Sequence, residues 1–495
     1  MRVIMASSEA IPFAKTGGLG DVVGTLVDEL KRSKVESAVI LPFYKRVREG
    51  AKRFGIKDTK KEFTVSLGDC IEKGRLWKGK TPRGADAYFI ENDRFYDRDE
   101  LYGIDGEDYP DNASRFIFYC RGVIEAIKAL GLDVDVIHCN DWQSGLIPLY
   151  LKTIYKEDSP HIATIMTIHN IGFQGLFWHL DMPLTGLGWE YFNMEALEFY
   201  GRINLLKGGI LFADVVTTVS DTYAKEIMTP DYGFGLDGVL RKRKDVLYGV
   251  MNGIDYNEWN PWKDRLIPAR YNKKNINNKY RCKASLKEEC GLRDGNTPTV
   301  TSPPTVTSPP IIGMVSRLTS QKGIEIVISS IGRIIDSGAQ MIILGDGMDP
   351  IKNELLRFQD RYKGMIFVKT GFDNNLAHRI YAGSDIFLMP SRYEPCGLSQ
   401  LMAMSYGTIP VVRRTGGLAD TVIEYNPVTK EGTGFLFDEY SPDAMLTAIN
   451  RALRFYNNRE DWQRLIFNAM SVRFTWQESA KRYIRLYKMA LKRNM

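Results

Sequence analysis

The chain has 495 residues, of which 44% are hydrophobic, 25% charged and 11% aromatic. At about 100–200 residues per domain this length calls for more than one core. The composition excludes collagen-like, disulfide-dense and largely disordered chains. The net charge of +6 is unevenly placed: residues 1–250 hold 32 basic and 36 acidic side chains, and residues 251–495 hold 34 and 24. The last 45 residues alone carry 11 basic against 3 acidic side chains, whereas 301–450 carry 13 against 15. No zinc-finger spacing and no basic module interleaved with aromatics accompanies that charge, so no nucleic-acid partner is expected.

Cys70, Cys120, Cys139, Cys282, Cys290 and Cys396 form no C-x-x-C pair and no zinc-like grouping with the five histidines. Free thiols in a reducing, cytoplasmic compartment are the expectation. The opening MRVIMASSEAIPFAK has too short an apolar run for a signal peptide, and Glu9 interrupts it. Ser159 to Leu180 is uncharged for 22 residues, but it contains Pro160, three histidines, Asn170 and Gln174. It reads as a buried strand plus loop, and no membrane partner is expected.

In chain order, residues 2–7 read as a buried strand, followed by a glycine-bearing loop and a helix from Asp21 to Lys31. Further strands are expected at 37–42, 135–140, 161–169 and 214–220, separated by amphipathic stretches. A polar stretch, Lys263 to Arg293, then reads as a connection between units. TVTSPP at 299–304 is repeated at 305–310, and its Pro-Pro pairs suit an extended spacer or surface loop, with recognition by an SH3-type partner as the alternative. The pattern restarts with strands at 311–316, 341–345, 365–371 and 385–390 and helices at 323–335, 350–362 and 374–382. The fold class is α/β, as two successive doubly wound units, and a ligand is expected outside the carboxyl ends of the strands.

Four segments at such positions carry chemistry. Lys15-Thr16-Gly17-Gly18-Leu19-Gly20-Asp21 opens a helix, where glycines permit close approach and helix-start amides favour an anion. It lacks the G-K-[ST] ending of a Walker A loop and the spacing of G-x-G-x-x-G, which disfavours ATP hydrolysis and NAD. Ser316-Arg317-Leu318-Thr319-Ser320-Gln321-Lys322-Gly323 places two cations five residues apart, suited to a diphosphate. In Pro390-Ser391-Arg392-Tyr393-Glu394-Pro395-Cys396-Gly397-Leu398-Ser399-Gln400, Glu394 has no packing purpose and suits sugar hydroxyls. Arg413-Arg414-Thr415-Gly416-Gly417-Leu418 repeats the strand, glycine pair and helix start as a second source of backbone donors.

These four motifs, in this order and at this spacing, resemble the bacterial-type glycogen and starch synthases. The resemblance extends to His138 through Asp141-Trp142, Thr167-Ile168-His169-Asn170, Lys207-Gly208-Gly209-Ile210 and Thr229 through Gly238. Asn252-Gly253-Ile254-Asp255, Trp259-Asn260-Pro261 and Phe474-Thr475-Trp476 also match, so nearly the whole chain is covered.

The resemblance implies a GT-B architecture: two Rossmann-like domains facing a deep cleft, 1–250 on the glucan acceptor side and 251–475 for the nucleotide-sugar donor. The donor domain carries a TVTSPP-repeat loop at 297–310, and a C-terminal helix, 476–495, packs back on the first domain. The reaction implied is transfer of glucose from ADP-glucose to the non-reducing 4-hydroxyl of an α-1,4-glucan (glycogen or a maltooligosaccharide) with retention. A related GT-B transferase using UDP-glucose or another acceptor, and a non-catalytic glucan- or nucleotide-sugar-binding protein, are the alternatives. By resemblance Glu394, His169, Asp141, Arg317 and Lys322 are the catalytic candidates. Arg317 and Lys322 would neutralise the diphosphate; Lys15 and the amides of Gly17 and Gly18 would act from the other domain. Asp21, Asn170, Asn252, Phe372, Cys396, Gly397, Leu398, Thr415, Gly416 and Gly417 are the further substrate-binding candidates, Phe372 as a stacking ring where the family often has Tyr. No cofactor and no metal is expected: the Asp-x-Asp pairs Asp97/Asp99 and Asp133/Asp135 do not follow strands, and fixed cations can stabilise the leaving group instead. Neither Glu394 nor Asp141 is expected to be a covalent nucleophile.

Cys396 reads either as a reactive thiol or as a packed one, and Tyr96 and Tyr102 either as glucan contacts or as core. The basic helix 480–494 is expected to make an electrostatic contact with the acidic first domain.

Overall fold

The computed structural model describes residues 1–104, 106–293 and 308–494, so all but the last three residues of the TVTSPP repeat lie outside the described residues. The chain forms two compact units, one of Met1–Val250 with Trp476–Met495 and the other of Met251–Thr475. Both are α/β.

The first unit is built on a nine-stranded sheet. Arg2–Ala6 lies near its middle, with Glu36–Pro42 and Asp86–Glu91 to one side and Val136–Asn140, Ala163–Ile168, Val215–Thr218 and Leu247–Gly249 to the other, all parallel. These strands are near-continuous apolar runs because both faces are covered, as in Ala163–Ile168, where every residue is buried. An antiparallel hairpin, Lys57–Leu67 with Cys70–Lys80, closes one edge, and its alternating buried and exposed residues show a face left to solvent. The chain reverses direction across the sheet between Arg2–Ala6 and Val136–Asn140, which makes their carboxyl ends a topological switch point.

The C-terminal helix, Trp476–Asn494, belongs to this first unit and packs on the helix Gly18–Arg32 and the strand Ala163–Ile168. Its buried residues Trp476, Ala480, Tyr483, Tyr487 and Ala490 recur every three or four positions and form one apolar stripe. The Tyr487 hydroxyl lies 2.9 Å from His138 Nδ1, whose Nε2 is 2.6 Å from Thr167 Oγ1, which in turn is 2.5 Å from Thr217 Oγ1. The expected electrostatic docking is therefore corrected. The seam is aromatic and apolar, and an ion pair from the helix to the rest of the unit, Arg482 with Asp221 at 3.0 Å, is exposed. Such a pair contributes at most about 1 kcal/mol.

The second unit carries six parallel strands in the order Ile366–Thr370, Gln340–Gly345, Ile311–Val315, Ile386–Met389, Ile409–Arg413, Phe435–Phe437. Its switch point lies between Ile311–Val315 and Ile386–Met389. The polar stretch Lys263 to Arg293 is not a connection: it contains the helix Asn277–Glu289, packed inside this unit. Lys279, Lys283 and Lys287 lie on one face of that helix and are buried. Lys279 Nζ donates to the carbonyls of Ala382 and Ser384 and to Thr408 Oγ1 at 3.1, 2.9 and 2.7 Å, and burial lowers its pKa to about 8. Lys283 pairs with Asp385 at 2.7 Å and with the Tyr456 hydroxyl at 2.8 Å. A buried lysine with every proton engaged reads as polar in sequence and behaves as core. The helix expected over 323–335 is two, Ile324–Ile328 and Ile331–Asp336. At the break the hydroxyls of Ser329 and Ser330 both reach the Ile326 carbonyl, at 3.0 and 2.7 Å, in competition with the helical ladder.

Among the described residues, no helix is long and apolar enough to cross a membrane, and no group of three or more His, Cys, Asp or Glu is placed to hold a metal ion.

Candidate active site

In the first unit the candidates meet at the carboxyl ends of three neighbouring strands. Asp141 follows Val136–Asn140, His169 follows Ala163–Ile168, and the segment from Ser7 to Gly18 follows Arg2–Ala6. Asp141 is buried, at φ +56 and ψ −176, a region that side-chain-bearing residues avoid at a cost of about 1–3 kcal/mol. Its Oδ1 accepts the His169 amide at 2.7 Å, and burial raises its pKa to about 7, against the lowering effect of the His169 and Asn170 amides. The His169 ring packs against Asn140: Nε2 lies 3.0 Å from Asn140 Oδ1, while Asn140 Nδ2 donates to the carbonyls of Ala6 and His138 at 3.2 and 3.0 Å. With the amide so oriented, Asn140 can only accept from the ring, so the proton sits on Nε2 and Nδ1 keeps its lone pair. Burial lowers the pKa of His169 to about 3, which keeps the ring neutral.

Glu9, which sequence reasoning used only as an interruption of an apolar run, anchors the glycine loop. Its buried carboxylate accepts from the Thr16 amide and hydroxyl, both at 2.6 Å, from the Gly17 amide at 3.2 Å and from the Tyr102 hydroxyl at 2.8 Å. The Gly17 amide therefore points into the protein, which corrects its expected role as a phosphate donor. Gly18 begins the helix, and a Cβ at either glycine would meet nothing within 4 Å, so the loop's outer face is open. Lys15 is held by Asp21 at 2.7 Å. Burial raises the pKa of Asp21, and the Lys15 charge opposes the rise. The signal for Glu9 was present: an acidic residue between a central strand and a glycine loop, at the switch point, has few reasons to be there other than to hold that loop.

In the second unit Arg317 and Lys322 follow Ile311–Val315, Glu394 follows Ile386–Met389, and Thr415 to Gly417 follow Ile409–Arg413. Lys322 Nζ lies 2.8 and 2.7 Å from the two Glu394 oxygens, and Ser391 Oγ donates to one of them at 2.9 Å. Glu394 is 4% exposed and thus desolvated around this pair. Lys322 is followed by Gly323 at φ +74, where a Cβ would fall 2.1 Å from the Pro390 carbonyl oxygen, so only glycine brings the lysine loop onto the glutamate loop. Arg317 is exposed, with its guanidinium 3.4 Å from Gln321 Oε1. Phe372, after Ile366–Thr370, is 88% exposed.

At the second glycine pair the expected donor roles of Thr415 and Gly417 are corrected. The Gly417 amide donates to the Glu394 carbonyl at 3.0 Å and the Thr415 amide to the Arg413 carbonyl at 3.0 Å. Gly416 has φ +44, and a Cβ there would lie 2.0 Å from the Glu394 carbonyl oxygen. This pair serves close packing beneath Glu394. Cys396 is buried, its Sγ 3.5 Å from Met251 Sδ, and burial pushes its pKa to about 12, which overturns the reactive-thiol reading. Asn252 approaches the same thiol and is buried, and its side-chain oxygen has no donor. Gly397 and Leu398 lead from Cys396 into the helix Ser399–Ser405. Tyr96 is core: it is fully buried, with its hydroxyl on the Arg115 carbonyl at 3.0 Å.

Known proteins with this arrangement are extensive in their similarity. Residues 2–242 match the family model described as starch synthase catalytic domain, and residues 301–467 that of glycosyl transferases group 1. The glycogen synthase of Thermodesulfovibrio yellowstonii is 44% identical over 99% of this chain and 97% of its own length. That of Thermotoga maritima is 43% identical over 99% of both. Among solved structures, the catalytic domain of starch synthase IV from Arabidopsis thaliana, bound to ADP and acarbose, superposes with a TM-score of 0.87 at 31% identity, over 99% of each chain. A sucrose-phosphate synthase from Thermosynechococcus elongatus, at 17% identity, 98% coverage of each chain and a TM-score of 0.57, shares the fold alone. On full-length identity of this order, with motifs seated at the carboxyl ends of parallel strands in both sheets, the chain belongs to the glycogen and starch synthase family of GT-B glycosyltransferases.

Proposed function

We propose that the chain transfers glucose from ADP-glucose to the non-reducing 4-hydroxyl of an α-1,4-glucan with retention of configuration. The observation that carries this reading is the Lys322–Glu394 pair with Arg317 on the same sheet edge: cations suited to a diphosphate beside a desolvated carboxylate suited to sugar hydroxyls. The similar starch synthase IV structure has ADP and acarbose bound, which favours an adenine nucleotide and a glucan-like ligand. Phe372 offers an exposed ring for the base.

The chemistry is a same-face substitution. The bond from C1 of glucose to the diphosphate oxygen breaks, the acceptor oxygen bonds to C1, and the leaving diphosphate takes the acceptor's proton. Arg317 and Lys322 meet the charge that develops on the diphosphate, with the preorganisation that makes such donors effective. Because these cations are supplied by the chain, the transfer is proposed to proceed without a metal or cofactor. Glu394 and Asp141 act by hydrogen bonding and charge rather than as nucleophiles, since their oxygens are engaged by Lys322 and Ser391 and by the His169 amide. His169 presents Nδ1 to accept from a glucose hydroxyl. The six free cysteines, of which Cys70 is exposed, support a reducing, cytoplasmic setting.

The test is nucleotide release with glycogen as acceptor, comparing ADP-glucose with UDP-glucose, with and without EDTA, and the anomeric form of the new linkage. Faster ADP release, insensitive to EDTA, with an α product supports the proposal. Faster UDP release, a β linkage, or a glucosyl adduct trapped on Glu394 or Asp141 overturns the corresponding part.

A further inference from the structure

Lys322 and Glu394 belong to different loops, and the 2.7 Å contact between them holds only while those loops keep their places. A side chain from a third segment joins the two. Tyr440 stands between the strand Phe435–Phe437 and the helix Pro442–Tyr456, half-buried against the core of the second unit. Its hydroxyl donates to Glu325 Oε1 at 2.6 Å, and the Ser320 carbonyl lies 3.3 Å from the same hydroxyl. Ser320 opens the turn Ser320–Lys322, and Glu325 lies in the helix that follows it. Glu325 Oε2 is buried without a donor among the described residues, so the anchorage falls on Oε1.

The ring of Tyr440 holds the other side. The Arg392 guanidinium carbon stands 4.9 Å from the ring centroid and that of Arg413 stands 5.7 Å away, distances at which a cation is attracted to an aromatic face. Arg392 is two residues before Glu394. Its amide donates to the Gln321 carbonyl at 2.9 Å, and its guanidinium lies 3.5 Å from Glu325 Oε1. Arg413 Nη1 donates to the Arg392 carbonyl at 2.6 Å, and its Nε donates to the Asp438 carbonyl at 2.9 Å. One tyrosine thus touches segments at the carboxyl ends of four neighbouring strands, Ile311–Val315, Ile386–Met389, Ile409–Arg413 and its own. Burial and the Glu325 charge raise its pKa to about 12, so the hydroxyl keeps its proton as a donor. Core packing accounts for the ring but not for a charge-assisted hydrogen bond beside the lysine turn.

We infer that Tyr440 is a positioning residue for glucose transfer: it sets the Lys322 loop against the Glu394 loop, with its hydroxyl on one and its ring on the other. The inference rests on the roles proposed for Lys322 and Glu394. Such groups work at full strength only within about 0.5 Å of their productive places, and a displacement of about 1 Å can cost about 100-fold in rate.

The experiment measures initial rates, single-turnover glucose transfer and hydrogen exchange over residues 316–323 for Tyr440→Phe, for Glu325→Gln and for each combined with Lys322→Ala. Tyr440→Phe keeps the ring on both arginines and removes the donor. It is expected to lower kcat about tenfold, with KM for the glucan unchanged, and to speed exchange in 316–323. With Lys322→Ala already present, the turn has no lysine left to place, and the same change should cost less than about twofold. Glu325→Gln should reproduce the loss from the other side of the bond, and it carries the expectation alone if Tyr440→Phe does not fold. An equal loss with and without Lys322 overturns the inference. So does a lowered melting temperature with unchanged kcat, which would make Tyr440 a packing residue. Failure of the transfer reading shows separately, as an original chain that releases no ADP from ADP-glucose with glycogen; exchange in 316–323 then still reports whether Tyr440 holds the turn.

Discussion

Lys322 holds both oxygens of Glu394, at 2.8 and 2.7 Å, where the glutamate is 4% exposed. Removing one partner of such a pair leaves the other charge desolvated and alone, at a cost of about 3 kcal/mol. Lys322→Ala is therefore expected to lower both stability and turnover, the latter by about 100-fold or more. Lys322→Met combined with Glu394→Gln should recover most of the stability and none of the turnover. Urea unfolding and single-turnover glucose transfer on Lys322→Met, Glu394→Gln and their combination measure the two effects separately; additive stability losses would show that the pair is not coupled.

Asp141 combines a glycine-like backbone with a carboxyl whose pKa burial raises from 3.8 to about 7. Between those values the folded chain holds a proton that the unfolded chain has lost, so the residue's contribution to stability falls as pH rises from about 4 to 7 and is flat above. Asp141→Asn keeps an oxygen for the His169 amide and removes the ionisation. It is expected to be more stable than the original chain at pH 8 by about 2–4 kcal/mol, with the difference vanishing toward pH 4. Asp141→Gly relieves the backbone strain as well, and both variants should lose most of their activity. Thermal unfolding across pH 4–8 is the measurement, and a stability difference that does not change with pH would contradict the assignment.

Asn140 fixes the proton of His169 on Nε2. Asn140→Asp places a negative charge on that proton and raises the pKa of the ring from about 3, so the ring becomes charged at higher pH and loses the Nδ1 acceptor. The acid limb of kcat/KM should move upward by about one unit or more. A lowered rate with an unmoved limb would mean that Asn140 serves packing alone.

Glu9 accepts three hydrogen bonds from Thr16 and Gly17. Glu9→Gln offers an NH2 group where one oxygen met an amide, which loosens the glycine loop. The expected result is a KM for the nucleotide sugar raised about tenfold, equivalent to about 1.4 kcal/mol, with a smaller change in kcat. Initial rates over a range of donor concentrations would show it, and an effect on kcat alone would argue against a loop-holding role.

Tyr487→Phe removes one hydrogen bond from the buried His138–Thr167 chain and should destabilise the first unit by about 1 kcal/mol. Arg482→Ala, which removes the exposed ion pair with Asp221, should cost less, and raising the salt concentration should change neither result much. Unfolding curves at low and high salt compare the two; strong salt sensitivity would restore the electrostatic view of the seam.

Most of the fold is legible in the sequence because parallel strands covered on both faces are short apolar runs, and the strands expected at 37–42, 135–140 and 341–345 lie within a residue of Glu36–Pro42, Val136–Asn140 and Gln340–Gly345. The positions of Lys322, Glu394, Asp141 and His169 at strand ends followed from the same pattern. What the sequence concealed was the partnering. Lys279 and Lys283 look solvated until their carbonyl and carboxylate partners are seen, and the Lys263–Arg293 segment was misread for that reason. The glycine pair at Gly416-Gly417 looked like a row of donors, but which way an amide points depends on a contact with Glu394 that no local spacing records. Asn140 and Glu9 act through other residues, and neighbours from different strands are invisible in a one-dimensional pattern.

The helix Trp476–Asn494 completes a unit whose other 250 residues are made first, with all of Met251–Thr475 synthesised in between. On a ribosome adding about 5–20 residues per second, that interval lasts tens of seconds. Throughout it the nascent first unit lacks the cover over the helix Gly18–Arg32 and the strand Ala163–Ile168, and His138 lacks its tyrosine. A chain released before Trp476 is made therefore carries an open hydrophobic seam, a substrate for chaperones and proteases.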